Sequence, residues 1–485
     1  MDCKCKYFKH KFRVQRYEIL SIHKECIDKS HICIVIKKHM LMNNVFSFLD
    51  FEPNVQQKIA VQQITDFVNS DKDIFILKGS AGTGKTSIVK AITTFLTNSN
   101  INQKIAAPTG RAAMIIGNKT GQSSKTMHSQ IYTPEKVKNG GGVRLVRKTN
   151  KEKAITIFLV DEASMVSNVL TKSENFFVSK PLLEDYIDYV KQGNSANKII
   201  FIGDKFQLPP VNESFSPALS PKYLKEHFGL ISLEYELTQV MRQDEGSVIL
   251  TTATFIRDLL EKGISNSPIS IDREKYASIA LKRYLSAFDT NDISKVIAIC
   301  HSNRDVNYWN NWIRRELGIS SSILTTDDII VTQNTWLNNS GDWVYKGEYG
   351  KIIEIDNSIE RYANLNFTNA KIEYATSNGK SKVISTKVLL DSLKTRYGTL
   401  DEEKEKQLFA EVMKHNPEFR SSQNNADDKY LGAIRLKHGY ATTCHKAQGG
   451  EWDNVLIHPW TVGKDLKWTY TAITRAKKEV YSYAA

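Results

Sequence analysis

Eight consecutive residues have the composition and spacing of a phosphate-binding loop. They follow the pattern G-x-x-x-x-G-K-T and are Gly79, Ser80, Ala81, Gly82, Thr83, Gly84, Lys85 and Thr86. The glycines allow backbone amides to wrap around phosphates, and a helix N-terminus adds partial positive charge. Lys85 is expected to reach the β- and γ-phosphates of a nucleotide, and the Thr86 hydroxyl to bind Mg²⁺. A chance match is disfavoured because a buried-strand pattern precedes the loop and a helical pattern follows it.

Two adjacent carboxylates, Asp161 and Glu162, follow a second apolar run at 155–160. Adjacent acids usually belong to a solvated turn, but the strand pattern before them and the phosphate loop upstream favour a catalytic role. A carboxylate at a strand end can hold Mg²⁺, and its neighbour can orient or deprotonate an attacking water. We therefore assign the metal to Asp161 and the base role to Glu162. With Lys85, these residues predict hydrolysis of a nucleoside triphosphate, but not what the released energy drives.

The elements that must position these residues alternate between strand and helix, as is typical of an α/β protein. Helices are predicted over 54–70 and 86–96, and short apolar strands at 73–78, 104–107, 155–160, 198–202 and 296–300. Apolar strands separated by helices indicate parallel sheets covered on both faces. Two such sets, divided near residue 235, predict one domain over 46–235 and a second over 236–485.

Two stretches interrupt the alternation. A basic segment within about 131–154 has three consecutive glycines at 140–142 between strand-like flanks, which predicts a β-hairpin. Alternating strand patterns over 327–392, with an Asn378-Gly379 turn, predict a small β-barrel-like insertion. The charged stretch 399–430 is predicted to be helix and loop, so that barrel and helices together occupy about 320–435.

The bulk composition is compatible with a polyanionic partner without establishing one. The chain has 485 residues, a net charge of +13 and a pI of about 9.1. Residues 1–40 contribute +6 of that charge, from ten Lys or Arg and four Asp or Glu. No run approaches the roughly 20 apolar residues that cross a bilayer, and no secretory signal is recognisable. The expected location is the cytoplasm, or the host cytoplasm if the protein is viral.

A basic N-terminal extension, residues 1–45, contains four of the six cysteines: Cys3, Cys5, Cys26 and Cys33. Their spacing provides no disulfide framework for a chain of this length. It fits no compact zinc pattern well, although a zinc site completed by a nearby histidine stays open. The alternative is an extension without a fold of its own, with Met40 or Met42 as the functional start.

Further motifs occur in a fixed order along the chain. They are Asp161-Glu-Ala-Ser, Gly203-Asp-Lys-Phe-Gln207-Leu-Pro-Pro, Leu237-Thr-Gln-Val-Met-Arg242, His445-Lys-Ala-Gln-Gly and Thr471-Ala-Ile-Thr-Arg475-Ala. From about residue 54 to the C-terminus, this series resembles the superfamily 1 helicases of the RecD-like and phage Dda-like branch. The resemblance implies two RecA-like P-loop domains with parallel sheets, a β-hairpin pin insertion and a small SH3-like β-barrel insertion. It also implies ATP-driven, 5′-to-3′ translocation on single-stranded DNA and unwinding of duplexes.

The resemblance assigns three more residues to the γ-phosphate. Gln207 is expected to report the phosphate state, since a side-chain amide both donates and accepts hydrogen bonds. Arg242 and Arg475 lie in the later half of the chain and are expected to reach the phosphate across an interface, as arginine fingers do. The simpler alternative for a lone arginine is a surface cation.

The resemblance also identifies candidate residues for contacts with the adenine and the ribose of the nucleotide. Gln57 matches the adenine-reading glutamine by its spacing to Ala60, and Gln56 is the competing candidate after a one-residue shift. Glu451 resembles the position that contacts the ribose.

Five residues match positions that face single-stranded DNA in the family: Pro108, Thr109, His128, Thr443 and His445. Hydroxyls and imidazoles suit phosphate contacts, which hold a strand without reading its sequence. Four tryptophans could stack bases, but we expect them to pack in cores and assign none: Trp309, Trp312, Trp336 and Trp343. The hairpin tip, 138–143, occupies the place of a strand-separating pin.

The leading interpretation is therefore an ATP- and Mg²⁺-dependent DNA helicase that acts on single strands and forks, expected to be monomeric. Replication, recombination or repair proteins are candidate partners. An ATP-driven switch or loader without unwinding activity stays open, although it would not need motifs in both halves. An RNA-directed translocase is a third alternative. The sequence shows no additional carboxylate cluster with convincing metal-site spacing, so a nuclease is not indicated.

Overall fold

The computed structural model describes residues 45, 46, 49, 51–136, 143–170, 176–241, 248–319, 323–337, 343–356, 358–375, 381–395, 400–422 and 424–484. The four N-terminal cysteines, the tip of the predicted pin, the Asn378-Gly379 turn and Arg242 lie outside the described residues. Within the described ranges, no helix is both long enough and apolar enough to cross a membrane.

The secondary structure alternates between helices and strands in most of the chain. The helices are α1 Val55–Val68, α2 Lys85–Asn98, α3 Gly110–Thr120, α4 Met127–Ile131, α5 Leu182–Gly193, α6 Pro221–Phe228, α7 Val248–Glu261, α8 Ala277–Ala287, α9 Asn303–Glu316, α10 Asp391–Lys394, α11 Glu402–His415, α12 Pro417–Ser422, α13 Cys444–Ala447 and α14 Leu466–Ile473. The strands are β1 Ile74–Gly79, β2 Asn102–Ala107, β3 Ser124–Thr126, β4 Tyr132–Lys136, β5 Val143–Arg147, β6 Thr156–Val160, β7 Phe176–Phe177, β8 Lys198–Gly203, β9 Ser232–Leu237, β10 Asp272–Glu274, β11 Val296–Cys300, β12 Ile329–Thr332, β13 Trp336–Leu337, β14 Trp343–Val344, β15 Tyr349–Ile355, β16 Glu360–Tyr362, β17 Leu365–Ala375, β18 Ser381–Leu389, β19 Ile434–His438, β20 Ala441–Thr443, β21 Trp452–Ile457 and β22 Ala476–Tyr483.

The first lobe is built on a parallel sheet with the strand order β3-β2-β6-β8-β1-β9. Its central strands β6, β8 and β1 are largely apolar because both faces are covered by helices. In β1, Ile74 packs with Tyr186 of α5 on one face, and Phe75 packs with Phe67 of α1 on the other. The prediction of a parallel sheet covered on both faces is confirmed.

The second lobe is built on another parallel sheet, with the order β10-β22-β21-β11-β20. Every residue of β11 is buried. Ile297 and Ile299 face the apolar cluster that contains α7 and α14, while Ala298 faces the cluster that contains α8 and α9. The two parallel sheets confirm the predicted fold class.

A mainly antiparallel insertion separates α9 from β20, with β18 and β19 as its one parallel pair among the described residues. Its sheet has the order β15-β12-β19-β18-β17-β16, and an additional pairing of β15 with β17 closes five strands into a small barrel. The barrel interior contains Ile330, Ile352, Ile372 and Leu436. The SH3-like insertion is thereby confirmed, with α11 and α12 in the charged stretch between its strands β18 and β19.

The glycine-rich segment is a hairpin at its base, as its sequence predicts. Strands β4 and β5 pair in antiparallel register, with Tyr132 opposite Arg147. Tyr132 donates a hydrogen bond to Asp185 of α5 at 2.7 Å, and Arg147 lies 3.5 Å from the same carboxylate. The hairpin is therefore anchored to the body of the first lobe.

A buried ion pair joins the second lobe to the barrel. Arg314 of α9 donates to both oxygens of Asp328, just before β12, at 2.8 Å each. The Tyr440 hydroxyl donates to the same carboxylate at 2.9 Å. Burial alone would raise the pKa of Asp328, but the hydrogen bonds and charge of Arg314 hold it below its usual value.

We predict that Asp328→Asn destabilises the protein by about 3–5 kcal/mol, because it leaves the Arg314 guanidinium buried without a counter-charge. Urea denaturation followed by tryptophan fluorescence measures the change. The control is Glu354→Gln, which removes the exposed Lys371–Glu354 pair and is expected to cost less than about 1 kcal/mol. Equal effects of the two substitutions would contradict a structural role for the buried pair.

Candidate functional site: a cleft between two lobes

The phosphate-binding loop connects the carboxyl end of β1 to the N-terminus of α2. Gly82 and Gly84 have φ angles of 82° and 84°, which favour glycine. A side chain at Gly84 would also collide with Gln57, because its Cβ would lie 2.5 Å from the Gln57 Nε2 atom. The backbone conformation of the loop therefore requires glycine at 82 and at the motif position 84.

The Lys85 ammonium folds back over this loop. It donates hydrogen bonds to the carbonyls of Gly79 and Ser80, at 2.6 and 3.1 Å. Thr86 follows in the first turn of α2, with its side chain partly exposed. The cation and the hydroxyl thus lie side by side at a helix N-terminus, an arrangement that attracts phosphate groups.

Asp161 and Glu162 follow β6, which is separated from β1 by one strand in the sheet. Burial and the charge of Asp161 raise the pKa of Glu162 to about 7, while the charges of Arg475 and Lys85 oppose the shift. Burial also raises the pKa of Asp161, against a backbone hydrogen bond and the charge of Lys85. Two crowded carboxylates beside an ammonium fit a divalent cation, which Asp161 and Thr86 would hold.

The segment after β8 crosses into the second lobe. Phe206 and Leu208 are buried in that lobe's apolar core. Leu208 donates its N–H to Thr471 Oγ1 and accepts a hydrogen bond from Gln448 Nε2, both at 2.9 Å. Gln207 lies between them, buried, and its Oε1 atom has no hydrogen-bond partner among the described residues. Its role as a γ-phosphate reporter stays a prediction.

Arg475 faces the acids from the second lobe. The side chain is 4% exposed, and it donates to the carbonyls of Thr471 and Gly450 at 3.1 and 3.2 Å. Gly449 shows how closely the lobes approach, because a Cβ there would lie 3.5 Å from the Glu162 Cγ atom. The structure therefore brings Arg475 to the predicted acid site, while Arg242 lies outside the described residues.

Glu451 also lies at the cleft, but it contacts the first lobe rather than an open pocket. Its carboxylate pairs with Lys119 of α3 at 3.5 Å, and its charge raises the pKa of Asp161. The predicted contact with a ribose stays a prediction.

The two candidate glutamines occupy different environments. Gln57 is fully buried: its Nε2 donates to the Thr83 carbonyl at 3.1 Å, and its Oε1 accepts from the Asn54 N–H at 3.0 Å. Gln56 donates to the Thr238 hydroxyl at 2.8 Å and accepts from the Thr238 N–H at 2.9 Å. Each amide is satisfied by protein, so reading of adenine by Gln57 stays a prediction, with Gln56 as the alternative.

Two residues of the second lobe that the sequence analysis did not assign contact the phosphate-binding loop. The Tyr470 hydroxyl donates to Asp204 Oδ2 at 2.7 Å and accepts from the Ala81 N–H at 3.2 Å. Arg257 of α7 donates from Nη1 to Ser80 Oγ at 2.5 Å. Tyr470 directly precedes the Thr471-to-Arg475 motif, and that position could have marked it as a candidate site residue. Arg257 lies in none of the motifs, so the sequence gives no comparable indication for it.

The residues assigned to a nucleic-acid track follow the carboxyl ends of parallel strands. Pro108 and Thr109 follow β2, His128 lies in α4 after β3, and Thr443 and His445 lie where β20 passes into α13. The carboxyl ends of parallel strands form the edge of a sheet where ligands bind in α/β proteins. The phosphate-binding loop lies at the same edge of the first sheet.

A lysine of the barrel extends into this region. Burial, and then the charge of Lys346, lower the pKa of His128 to about 4. Burial and Lys346 also lower the pKa of Lys446. Lys346 belongs to the turn between β14 and β15, which packs on α3 so closely that a Cβ at Gly110 would lie 2.9 Å from the Tyr345 Cβ. Lys346 thus adds positive charge near both His128 and Lys446, and phosphates are the ligands that such charge attracts.

Comparison with known proteins agrees with this two-lobed arrangement. Residues 52–259 match a family model described as an AAA domain, and residues 438–483 match a UvrD-like helicase C-terminal domain. The ATP-dependent DNA helicase dda of Enterobacteria phage T4 is 24% identical over 459 residues, covering 88% of this chain and 98% of the relative. The ATP-dependent RecD2 DNA helicase of Deinococcus radiodurans is 24% identical over 415 residues, covering 84% and 46%.

A solved structure of two coordinating Pif1 helicases at forked double-stranded DNA has the same fold. It is 18% identical, with a TM-score of 0.50, and the match covers 89% of this chain and 92% of that one. The chain spans only 32–46% of the length of three of the curated relatives that it matches. The motifs, the two matched models and these relatives together show that the chain is similar to superfamily 1 helicases of the RecD- and Dda-like branch, and the structural match shows that it shares the fold of the Pif1 proteins.

We predict that Gln57→Ala weakens binding of ATP and GTP by a similar factor, about tenfold. The physical reason is that the Thr83 carbonyl and the Asn54 N–H both lose their partner, which loosens the loop for every nucleotide. Fluorescence titration with both nucleotides measures the change, and Gln56→Ala is the matched control. If Gln57→Ala weakens binding of ATP but not of GTP, Gln57 reads the adenine. If Gln56→Ala shows that ATP-specific loss, Gln56 is the adenine-reading residue instead.

Proposed function

We propose that this chain is an ATP-driven helicase that moves 5′ to 3′ along single-stranded DNA and unwinds the duplex ahead of it. The observation that carries the proposal is the division of the phosphate site between lobes. The first lobe supplies Lys85 and the two acids, and the second supplies Tyr470 and Arg475. A nucleotide in this cleft contacts both lobes, so it binds the closed arrangement better than an open one.

The roles of the cleft residues follow from their chemistry. Lys85 neutralises the β- and γ-phosphates, and Mg²⁺ held by Thr86 and Asp161 supplies further positive charge there. Glu162 directly follows Asp161 and is suited to accept a proton from the attacking water, because a carboxylate can act as a general base. Arg475, with Arg242, stabilises charge that develops on the transferred phosphate. Gln207 senses whether the γ-phosphate is present and transmits that difference to the second lobe.

The DNA substrate is proposed from the track residues and from the relatives. Thr109 and His128 of the first lobe, and Thr443 and His445 of the second, lie at the carboxyl edges of their sheets. Alternating closure of the lobes would shift one set of contacts against the other and so move a strand. The phage T4 and Deinococcus relatives are named DNA helicases, and the 5′-to-3′ direction rests on the RecD- and Dda-like motifs. The proposed unit is a monomer with domains at 46–235 and 236–485.

The decisive experiment is strand displacement on duplexes with a single-stranded 5′ tail, a 3′ tail or both. We expect ATP- and Mg²⁺-dependent unwinding that requires the 5′ tail. Lys85→Ala and Arg475→Ala are expected to bind single strands normally but to hydrolyse ATP at least about a thousandfold more slowly. The control is Arg283→Ala, which removes an arginine paired with Asp272 on the outer side of the same lobe.

Each alternative gives a different pattern in this assay. Strand-stimulated ATPase without displacement of any substrate would favour a switch or loader. Stimulation by RNA but not DNA oligomers would favour an RNA translocase. Normal turnover in Lys85→Ala or Arg475→Ala would refute the assignment of the site.

We further propose that the β4–β5 hairpin is the strand-separating pin. Deletion of residues 139–141 from its tip is expected to reduce unwinding about tenfold or more while leaving single-strand-stimulated ATPase unchanged, since a wedge acts only where strands part. Both rates are measured on the same preparation. Parallel loss of ATPase would show that the hairpin supports the fold or the track instead.

A further inference from the structure

Arg257 is an arginine of the second lobe that already touches the phosphate-binding loop. Its Nη1 donates to Ser80 Oγ at 2.5 Å, and its Nη2 donates to Thr254 Oγ1, one turn earlier on α7, at 2.8 Å. Its Nε atom is buried without a hydrogen-bond partner among the described residues. Two hydrogen bonds fix the orientation of this guanidinium. Its Nε–H group is still available to donate to a further acceptor.

Ser80 is also contacted by a second cation. The Lys85 ammonium donates to the Ser80 carbonyl at 3.1 Å while Arg257 donates to the Ser80 hydroxyl. Ser80 is 4% exposed, so water screens the two positive charges poorly. Lys85 and Arg257 therefore bring two positive charges, one from each lobe, to the same buried residue. An anion between these charges would reduce their repulsion.

The position of Lys85 identifies that anion. The lysine of a phosphate-binding loop reaches the β- and γ-phosphates, while the loop amides cradle the α- and β-phosphates. A cation that meets Lys85 from the opposite lobe therefore approaches the terminal phosphate. Arg475 lies elsewhere around the same cleft, bonded to carbonyls of its own lobe and acting on the charge of Glu162.

We propose that Arg257 recognises the γ-phosphate and makes the cleft selective for nucleoside triphosphate over diphosphate. The guanidinium forms charge-assisted hydrogen bonds that ADP cannot accept. Because α7 packs against α14, which presents Tyr470 to Ala81, loss of the terminal phosphate weakens the hold of both helices on the loop. This inference rests on the proposed ATP-driven function and adds a second-lobe phosphate ligand to it.

The test compares equilibrium affinities for a non-hydrolysable ATP analogue and for ADP, measured with fluorescent nucleotides and Mg²⁺ on the full chain. Arg257→Ala is expected to lose about tenfold to a hundredfold in affinity for the ATP analogue, the usual effect of removing one charged hydrogen-bond donor, with ADP affinity unchanged. Arg257→Lys is expected to recover part of the loss, since it keeps the charge but not the fork. Arg283→Ala serves as the control and should change neither affinity.

The possible outcomes separate this inference from the proposed function. If Arg257→Ala loses affinity equally for the ATP analogue and for ADP, Arg257 only supports the loop. If the variant keeps both affinities, Arg257 does not reach the γ-phosphate. Either result overturns this inference but leaves the proposed function in place, provided that the wild-type chain hydrolyses ATP. A wild-type chain that binds neither nucleotide refutes the proposed function as well. Thermal melting shows whether Arg257→Ala is folded; if it is not, Arg257→Lys and Arg257→Gln decide by the same comparison.

Discussion

The interaction on which the arrangement depends is the burial of the segment after β8 in the opposite lobe. Phe206 and Leu208 leave the first sheet and enter the apolar core of the second lobe. Hydrogen bonds from Gln448 and to Thr471 fix the same segment. Because β8 lies between β1 and β6, this tether starts midway between the phosphate loop and the acids. In the proposed function, this segment is the connection through which a displacement at the nucleotide would reach the second lobe, because packed side chains do not deform continuously.

Parallel topology explains why so many functional residues share one edge. In the first lobe, successive strands deliver the phosphate loop, the acids and Gln207 to their carboxyl ends, and β2 and β3 deliver Thr109 and His128. In the second lobe, β20 delivers Thr443 and His445. In the proposed function, a nucleotide lies between the two sheets near this edge and a single strand runs along both. The topology would then place the nucleotide site and the nucleic-acid track next to each other.

The elements that the sequence predicts well are those with local signals. The apolar run at 296–300 coincides with β11, and the glycine pattern at 79–86 coincides with a loop whose φ angles require glycine. Contacts between distant segments leave no such signal. Arg257 meets Ser80 from 177 residues away and Tyr470 meets Ala81 from 389 residues away, so no periodicity or spacing predicts these contacts, although the motif next to Tyr470 marks that residue as a candidate. The assignment of Gln57 rests on its spacing to Ala60, whereas its hydrogen bonds with Asn54 and Thr83 depend on packing.

The chemistry of the interface suits a joint that opens and closes. Arg111 of α3 stacks on Trp452 of the second lobe at 4.0 Å and on Tyr349 of the barrel at 4.9 Å, which links all three parts through one guanidinium. Burial lowers the pKa of Arg111, so the closed state carries a desolvation cost that the stacking must offset. The hydrogen bonds and cation–π contacts of this interface can exchange for contacts with water, whereas full separation of the lobes would also expose Phe206 and Leu208. In the proposed function, the lobes therefore stay joined at this segment while a nucleotide that contacts both of them favours the closed arrangement.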